Sequence, residues 1–177
     1  MTLSASSQPR PQLLTADFFT NTHRFSASVA VAGRRLADVL NDRLTDFLEV
    51  RNVYISRLDK PGEILGVYKQ AALIKKQITF MVIAAEADAL SQEYKYNPLT
   101  RSMEDIFLSV PSFEISGKLE IVGKFDLKAI LAIGTTTFIP LFQGSAIHTS
   151  YASVNFGGPV ILVNKTAIEF FSVLRHK

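Results

Sequence analysis

The chain has 177 residues, of which 47% are hydrophobic and 20% charged, and its formal net charge at pH 7 is +3. This apolar content is too high for a disordered chain, and the small net charge gives no strong field that would favour nucleic acid or anionic lipid. The sequence contains no cysteine, which excludes disulfides, thiolate nucleophiles and cysteine metal ligands.

Residues 1–21 are predicted to form a flexible N-terminal tail, because the first 17 are mostly polar and lack the positive start and apolar stretch of a secretory signal. No apolar run reaches the roughly 18–20 residues that are needed to span a bilayer. The longest apolar run in the first half, residues 78–85, has the length of a strand. We therefore expect a cytoplasmic protein with no membrane partner.

A first β-rich unit is predicted over residues 22–85. Its opening strand shows the two-residue period of a half-buried strand, with apolar side chains at Phe25, Ala27, Val29 and Val31. Gly33 follows, where the turn is expected to need a positive φ. A short helix with Leu36 and Leu40 on one face comes next, and a second strand is expected to start at Phe47.

The first unit is predicted to end in a β-hairpin. The stretch "DKPGE" at residues 59–63 is a strong turn signal between the middle strands. After it, "LIKKQITFM" at residues 73–81 has two short apolar runs around a polar tip formed by Lys75 and Lys76. This pattern predicts two closing strands that pair with each other across that tip.

Residues 86–111 are predicted to form a linker on the protein surface. The stretch "SQEYKYNPLTRS" within it is rich in polar and turn-forming residues, as surface connections are. Its Tyr94, Tyr96 and Arg101 make it a candidate recognition segment.

Residues 112–177 are predicted to repeat the first unit. The alternating strand recurs at Ile115, Gly117, Leu119 and Ile121. Gly123 takes the place of Gly33, Asp126 is placed to cap a short helix, and Phe138 begins the next strand. A last hairpin is expected with its tip at Asn164 and Lys165. Because these elements recur in the same order, we interpret the sequence as an internal duplication.

The predicted fold class is mainly β with short helices. A single unit of this size has a thin core, so we expect two tandem small β-barrels or curled sheets that share an apolar interface about a pseudo-two-fold axis. An α+β single domain is the alternative. A homo-oligomer is also compatible with the abundant phenylalanine, 13 residues in all, which exceeds the need of two thin cores.

The first unit resembles a small bacterial β-rich domain of uncharacterised function, whose motif is G-x-R-L-x-D-x-L-N, then F-L-x-L, then V-N-K-x-x-I. The first part of that motif is matched by Gly33, Arg35, Leu36, Asp38, Leu40 and Asn41, and the last part by Val163, Asn164, Lys165 and Ile168. Each copy keeps only half of the pattern, and the resemblance implies no activity.

Each unit is also similar, more distantly, to Sm-like and SH3-like barrels, which close with a hairpin of the "LIKKQI" type. The resemblance implies a barrel topology and leaves nucleic-acid binding as an alternative function. The Arg-Gly pair that contacts RNA at this tip in Sm proteins is absent here, where the tips are Lys75–Lys76 and Asn164–Lys165.

The sequence offers no constellation that predicts catalysis. The three histidines, His23, His148 and His176, have no helical metal-site spacing, and no phosphate-binding or nucleophile motif is present. Carboxylates cluster near the first helix at Asp38, Asp42, Asp46 and Glu49, but the aligned positions of the second copy are not acidic. We interpret them as a solvated charged face and expect neither a metal nor a cofactor.

Three functions follow from these observations. The preferred hypothesis is a non-catalytic protein-interaction or regulatory module with another protein as its partner. The alternatives are a nucleic-acid-binding protein, and a small-ligand binder with a site between the units that uses Asp38, Asp42 and Arg35. The candidate partner-binding residues are Arg34, Arg35, Lys75, Lys76, Asn164, Lys165, Tyr94, Tyr96 and Arg101.

Overall fold

A computed structural model describes residues 13–85, 89, 101–132, 134 and 136–174. These residues are mainly β and form one open antiparallel sheet of ten strands, with two short helices and two 3₁₀ turns. The strands are β1 (Leu13–Phe19), β2 (His23–Ala30), β3 (Phe47–Arg57), β4 (Ile64–Ile74), β5 (Phe80–Ile83), β6 (Arg101–Val110), β7 (Phe113–Val122), β8 (Phe138–His148), β9 (Tyr151–Asn164) and β10 (Phe170–Val173). The helices are α1 (Leu36–Asn41) and α2 (Leu127–Leu131), and the 3₁₀ turns are Lys75–Gln77 and Lys165–Ala167.

The strands follow the order β10-β6-β7-β8-β9-β5-β1-β2-β3-β4 across the sheet. In the first half of the chain, residues 13–85, the neighbours are therefore β5-β1-β2-β3-β4. In the second half, residues 101–174, they are β10-β6-β7-β8-β9. The two halves have the same order of strands, and they meet where β5 pairs with β9, a contact that we call the junction.

The paired residues of the junction lie between two cores, because each half encloses a core on a different side of them. Successive side chains of a strand point to opposite faces. Phe18 and Met81 accordingly lie in the core of the first half, while their neighbours Phe19 and Phe80 lie in the core of the second half. Residues 160–163 of β9 alternate in the same way between the two cores.

Aromatic rings fill the second-half core beside the junction. The rings of Phe19 and Phe80 are stacked, with centroids 4.3 Å apart and planes 6° from parallel. Phe113 meets Phe80 edge-on at 5.0 Å, and Phe156 lies 4.7 Å from Phe19. Two of these rings come from each half, so this cluster joins the halves by apolar packing as well as by strand pairing.

Several local predictions are confirmed. Gly33 and Gly123 adopt φ of +78° and +79° in the turns after β2 and β7. The carboxylate of Asp126 caps α2 by accepting hydrogen bonds from the backbone N–H groups of Lys128 and Ala129. The alternating segments that were predicted as first strands of each unit are β2 and β7.

The predicted tail and linker are partly wrong. Residues 13–19 are not a flexible tail, because they form β1, which lies between β2 and β5 and buries Phe18 and Phe19 completely. Residues 101–110 of the predicted linker form β6, which pairs with both β7 and β10. The rest of the tail, up to residue 12, and most of the remaining linker lie outside the described residues.

The two closing hairpins are also wrong. The strands on either side of each polar tip do not pair, because a 3₁₀ turn carries the chain across to the other edge of its half. Strand β5 pairs with β1 rather than with β4, and β10 pairs with β6 rather than with β9. The polar tips are real turns, but they connect strands that lie four positions apart in the sheet.

The predicted pseudo-two-fold axis does not agree with the strand order. A two-fold contact brings the same surfaces of both partners together, so that β4 would also meet β10. These two strands instead lie at opposite ends of a single open sheet. The halves are therefore arranged head to tail in one open antiparallel sheet, and the division into two small β-barrels or curled sheets stays a prediction.

Within the described part of the chain, the longest α-helix has six residues, and no helix is long and apolar enough to cross a membrane.

The stacked ring at the junction gives a stability prediction. Replacing Phe80, which is fully buried, by alanine removes contacts in the second-half core and should lower the free energy of unfolding by about 3–5 kcal/mol. Replacing Phe125, which is 41% exposed, should change it by only about 0.5 kcal/mol. Urea denaturation of both variants measures the difference, and similar losses would contradict the assigned core.

Candidate functional site

Both halves line a groove of about 410 Å³ beside the junction. The first half contributes the end of α1, the segment that leads from it to β3, and the 3₁₀ turn at Lys75. The second half contributes the start of β8 and the end of β9, through Thr137, Phe138, Asn164 and Thr166. We call this feature the inter-half groove.

Asn41, the last residue of α1, connects the halves across this groove. Its side-chain oxygen accepts hydrogen bonds from the backbone N–H groups of Thr137 at 2.7 Å and Phe138 at 2.9 Å. These two donors lie at the beginning of β8, more than ninety residues further along the chain. One amide side chain thus fixes the position of the first half's helix against the second half's strand.

Lys75 anchors the first 3₁₀ turn under the same helix. Its ammonium group donates hydrogen bonds to the backbone oxygen of Asp42 at 2.7 Å and to the hydroxyl of Thr45 at 3.3 Å. The residue is only 8% exposed, and this burial lowers the pKa of its amine, while the Asp42 carboxylate acts in the opposite direction. The ammonium group of Lys75 is therefore buried and is bound by a backbone oxygen and a hydroxyl oxygen.

Lys165 makes the corresponding contact in the second half. Its ammonium group donates a hydrogen bond to the backbone oxygen of Ala132, which caps α2 as Asp42 caps α1. Burial lowers the pKa of this amine as well. Both lysines thus serve the local fold by satisfying a carbonyl at the end of a short helix.

Asn164 is completely buried at the base of the groove. Its amide nitrogen donates to the backbone oxygen of Ile78 at 2.8 Å, which lies in the other half. Its side-chain oxygen accepts from the backbone and hydroxyl of Thr166. This is a second amide that joins the halves, and the side-chain oxygens of both asparagines accept two hydrogen bonds each within the fold.

Charged side chains form the rim of the groove. Arg34 makes an ion pair with Asp42 at 2.8 Å, and its guanidinium also donates to the backbone oxygen of Asp38. The pKa of the Asp42 carboxyl is lowered first by a hydrogen bond from the backbone N–H of Leu44 and then by the hydrogen bond from Arg34. Arg43 donates a hydrogen bond to the backbone oxygen of Gly134.

Lys76 differs from the other groove cations. It is exposed, and its ammonium makes no hydrogen bond or ion pair with the residues that the structure describes. The apolar part of the lining beside it is formed by Leu40, Phe138 and Ile74, and Ile74 is 43% exposed. Among the described residues, the groove therefore presents an ammonium group without a partner next to an accessible apolar surface.

The structure brings together only some of the predicted site residues. Lys75, Lys76 and Asn164 line the groove, and Lys165 follows Asn164 directly. Arg35 is the N-cap residue of α1, where its backbone N–H donates to the Asp38 carboxylate. Arg101 lies on β6 and makes an ion pair with Glu120 at 3.1 Å, outside the groove lining.

The predicted residues Tyr94 and Tyr96 lie outside the described residues.

Sequence analysis did not identify Asn41, Arg43, Thr137, Phe138 and Thr166 as site residues. Asn41 belongs to the motif that was noted near α1, and this was the only signal available for it. Arg43 and Thr166 lie close in sequence to Asp42 and Asn164, whereas Thr137 and Phe138 reach the groove only through the folded arrangement of the halves.

A second, shallower cavity of about 310 Å³ is also lined by both halves. It contains His23 and His148, together with Leu58 and Tyr151. Among the described residues no group of three or more histidine, aspartate or glutamate side chains is arranged to hold a metal ion.

Comparisons of this chain with protein-family models, with curated proteins and with solved structures find no match.

The amide clamp gives a testable prediction. Replacing Asn41 by alanine leaves the backbone N–H groups of Thr137 and Phe138 without their acceptor, and should destabilise the protein by about 1–3 kcal/mol. Asn155→Ala, at an exposed position of β9, is the matched control and should have little effect. Equal unfolding free energies for the two variants would show that Asn41 does not hold the halves together.

The burial of Lys75 predicts a pH dependence. Because its pKa is lowered in the folded protein, the unfolded chain binds more protons between that lowered pKa and the ordinary value of 10.5. Stability from this group should therefore rise with pH in that window. The difference in unfolding free energy between the wild type and Lys75→Met, measured from neutral pH to pH near 10.5, should increase with pH. A constant difference would contradict the assigned burial.

Proposed function

We propose that this chain is a tandem duplication of a small β-rich unit and that it acts as a non-catalytic protein-interaction module. In this proposal the inter-half groove is the recognition site. One observation carries it: the 3₁₀ turn at Lys75 and the strand end at Asn164, which come from corresponding places in the two halves, meet at one groove.

The proposed duplication is supported by hydrogen bonds that recur at corresponding positions. Lys75 binds the carbonyl after α1, and Lys165, ninety positions later, binds the carbonyl after α2. The backbone N–H of Thr79 donates to Phe19, and that of Glu169 donates to Ser109, again with both partners ninety positions later. Together with the shared strand order, these contacts are those expected of two copies of one unit.

The proposed binding role is supported by how the polar groups of the groove are used. Asn41, Asn164 and Lys75 all make hydrogen bonds to backbone groups of the chain itself. Side chains committed in this way can shape a surface, but a catalytic acid, base or nucleophile must be available to a substrate. The groove is therefore better suited to recognition than to chemistry.

The chemistry of the available surface indicates the kind of partner. The free ammonium of Lys76 favours a carboxylate, and the exposed part of Ile74 favours an apolar side chain beside it. A short peptide segment of another protein that carries an acidic residue next to a large apolar residue has both features. We take such a segment as the ligand of the groove.

A small polar ligand is a second candidate, since the groove volume of about 410 Å³ lies within the range of small-molecule pockets.

Nucleic acid is less well supported as a ligand of the groove. The Asp42 and Asp46 carboxylates stand beside the groove cations, and Phe138 is the one aromatic residue among the described lining residues. Binding to single strands usually combines a basic groove with stacking rings.

A peptide selection tests the proposed function. Randomised twelve-residue peptides displayed on phage are selected against the full chain, and the enriched peptides are resynthesised. We expect them to combine acidic and large apolar residues, and to bind Lys76→Glu at least about tenfold more weakly than the wild type, which corresponds to a loss of about 1.4 kcal/mol.

Lys60→Glu is the matched control, because Lys60 is an exposed lysine in the turn between β3 and β4 and takes no part in the groove lining. It should bind the same peptides as the wild type does. Enriched peptides that bind both variants equally would contradict the groove as the site, and steady turnover of a small substrate by the purified chain would contradict a non-catalytic role.

A further inference from the structure

We propose that copies of this chain assemble head to tail, with β10 of one copy paired to β4 of the next. The pairing would repeat the junction between β5 and β9 that already exists inside each chain. This inference concerns the two ends of the sheet and does not depend on what the inter-half groove binds.

The internal junction supplies the template. Its register pairs Phe80 with Val163 and Val82 with Ile161, in antiparallel orientation. The backbone N–H of Asn164 donates to the backbone oxygen of Thr79 at 2.9 Å. Thr79 and Asn164, the next pair in this register, are therefore a hydrogen-bonded pair. Since hydrogen-bonded and non-hydrogen-bonded pairs alternate, Val82 and Ile161 form a non-hydrogen-bonded pair.

The end strands correspond to the two strands of that junction. Strand β10 follows the 3₁₀ turn of the second half and pairs with β6, as β5 follows the 3₁₀ turn of the first half and pairs with β1. Strand β4 precedes a 3₁₀ turn and pairs with β3, as β9 precedes one and pairs with β8. In the described sheet, nothing pairs with the outer edge of either β4 or β10.

The residues of β4 whose backbone N–H and C=O groups point outward correspond to the residues of β9 that bond to β5. Its inner edge bonds to β3 through the N–H of Lys75, which donates to Asp46. By alternation the N–H and C=O groups of Ile74, Ala72 and Gln70 then point away from β3. The corresponding residues of β9, Asn164 and every second residue before it, are those that point toward β5.

The side chains at the two ends also match this arrangement. Phe170 occupies the place of Phe80, which inserts into the core of the other half and is fully buried, yet Phe170 is 55% exposed. In the template register Phe170 faces Leu73 of the next copy, and the large ring of Phe171 faces the small Ala72. Pairing would cover apolar surface that the single chain leaves in water.

The partner is a second copy because the two free edges are unlike and complementary to each other. The internal junction joins a β5-type strand to a β9-type strand, and one free edge of each type remains at the ends of the sheet. Contacts between unlike surfaces of identical chains produce closed rings or open filaments. Unpaired edges of this kind are otherwise a liability that proteins block or cover.

Disulfide trapping tests this register, and the absence of native cysteine makes it unambiguous. In the proposed contact Ala71 faces Ser172 of the next copy, as Ile161 faces Val82 in the junction. Their Cα separation as a non-hydrogen-bonded pair, about 4.5 Å, suits a disulfide. Separately purified Ala71→Cys and Ser172→Cys chains, mixed and oxidised, should form a covalent dimer at twice the chain mass of 19.6 kDa.

The controls separate this contact from others. Each single variant oxidised alone should remain uncrosslinked, because a head-to-tail contact never places two identical residues opposite each other. Ala72→Cys mixed with Ser172→Cys should also remain uncrosslinked, since its side chain points to the other face of the strand. Self-crosslinking of either single variant at comparable yield would indicate a two-fold contact and would overturn the proposal.

The mass of the native assembly gives an independent readout. Light scattering of the full chain should show a mass above 19.6 kDa that rises with protein concentration or reaches a fixed multiple. Ala72→Pro removes an N–H that points away from β3 and leaves the hydrogen bonds between β4 and β3 in place. The measured mass of this variant should therefore be that of one chain. Ala72→Ser keeps the N–H and should assemble. A wild-type chain that stays monomeric and fails to crosslink would overturn the proposal.

Discussion

The pairing of β5 with β9 is the contact on which the rest of this structure depends. It comprises only four residue pairs, from Phe80–Val163 to Ile83–Val160, but both of its faces are buried. Each half alone would leave one face of its junction strand open to water. When the strands are joined, they contribute alternate side chains to both cores. The hydrophobic burial in the two cores then stabilises the junction, because the hydrogen bonds of four residue pairs alone would be too weak.

The inter-half groove is a consequence of the same contact. Asn41 reaches the start of β8, and Asn164 reaches the backbone of Ile78, only because the junction sets the two halves at this distance. Both amides are largely occupied by these bonds, so they transmit the position of one half to the other. Any ligand of the groove therefore binds a surface whose shape is fixed by the junction, and loosening the junction would alter that surface.

Local features of the fold could be predicted from the sequence, whereas pairing between distant strands could not. The alternating segments of β2 and β7, the glycine turns at Gly33 and Gly123, and the cap at Asp126 all depend on neighbouring residues. The hairpins failed because the same apolar-polar-apolar pattern fits strands that pair with each other and strands that part through a 3₁₀ turn. Strand β1 was missed although Leu14, Ala16 and Phe18 alternate in it, because the polar residues before them dominated the interpretation.

The candidate site was predicted to a similar extent. The turn residues Lys75, Lys76, Asn164 and Lys165 were recognised as polar tips, and three of them line one groove. Their meeting could not be foreseen, because it requires a 3₁₀ turn of one half to lie beside the strand end of the other. The three lysines also show why residue type alone misleads: Lys75 and Lys165 donate to helix-end carbonyls, whereas the ammonium of Lys76 has no partner among the described residues.

A head-to-tail relation between the halves has a consequence that a two-fold relation would not have. A two-fold contact uses the same edge of both units, so the remaining edges are alike, whereas here the remaining edges are unlike and complementary. A junction formed between copies would also create a groove of its own beside it. That groove would have Ile74 where the internal one has Asn164, and Leu131 would end the helix where Asn41 ends α1. It would be more apolar and would lack both amide clamps, so grooves within and between copies would differ in what they bind.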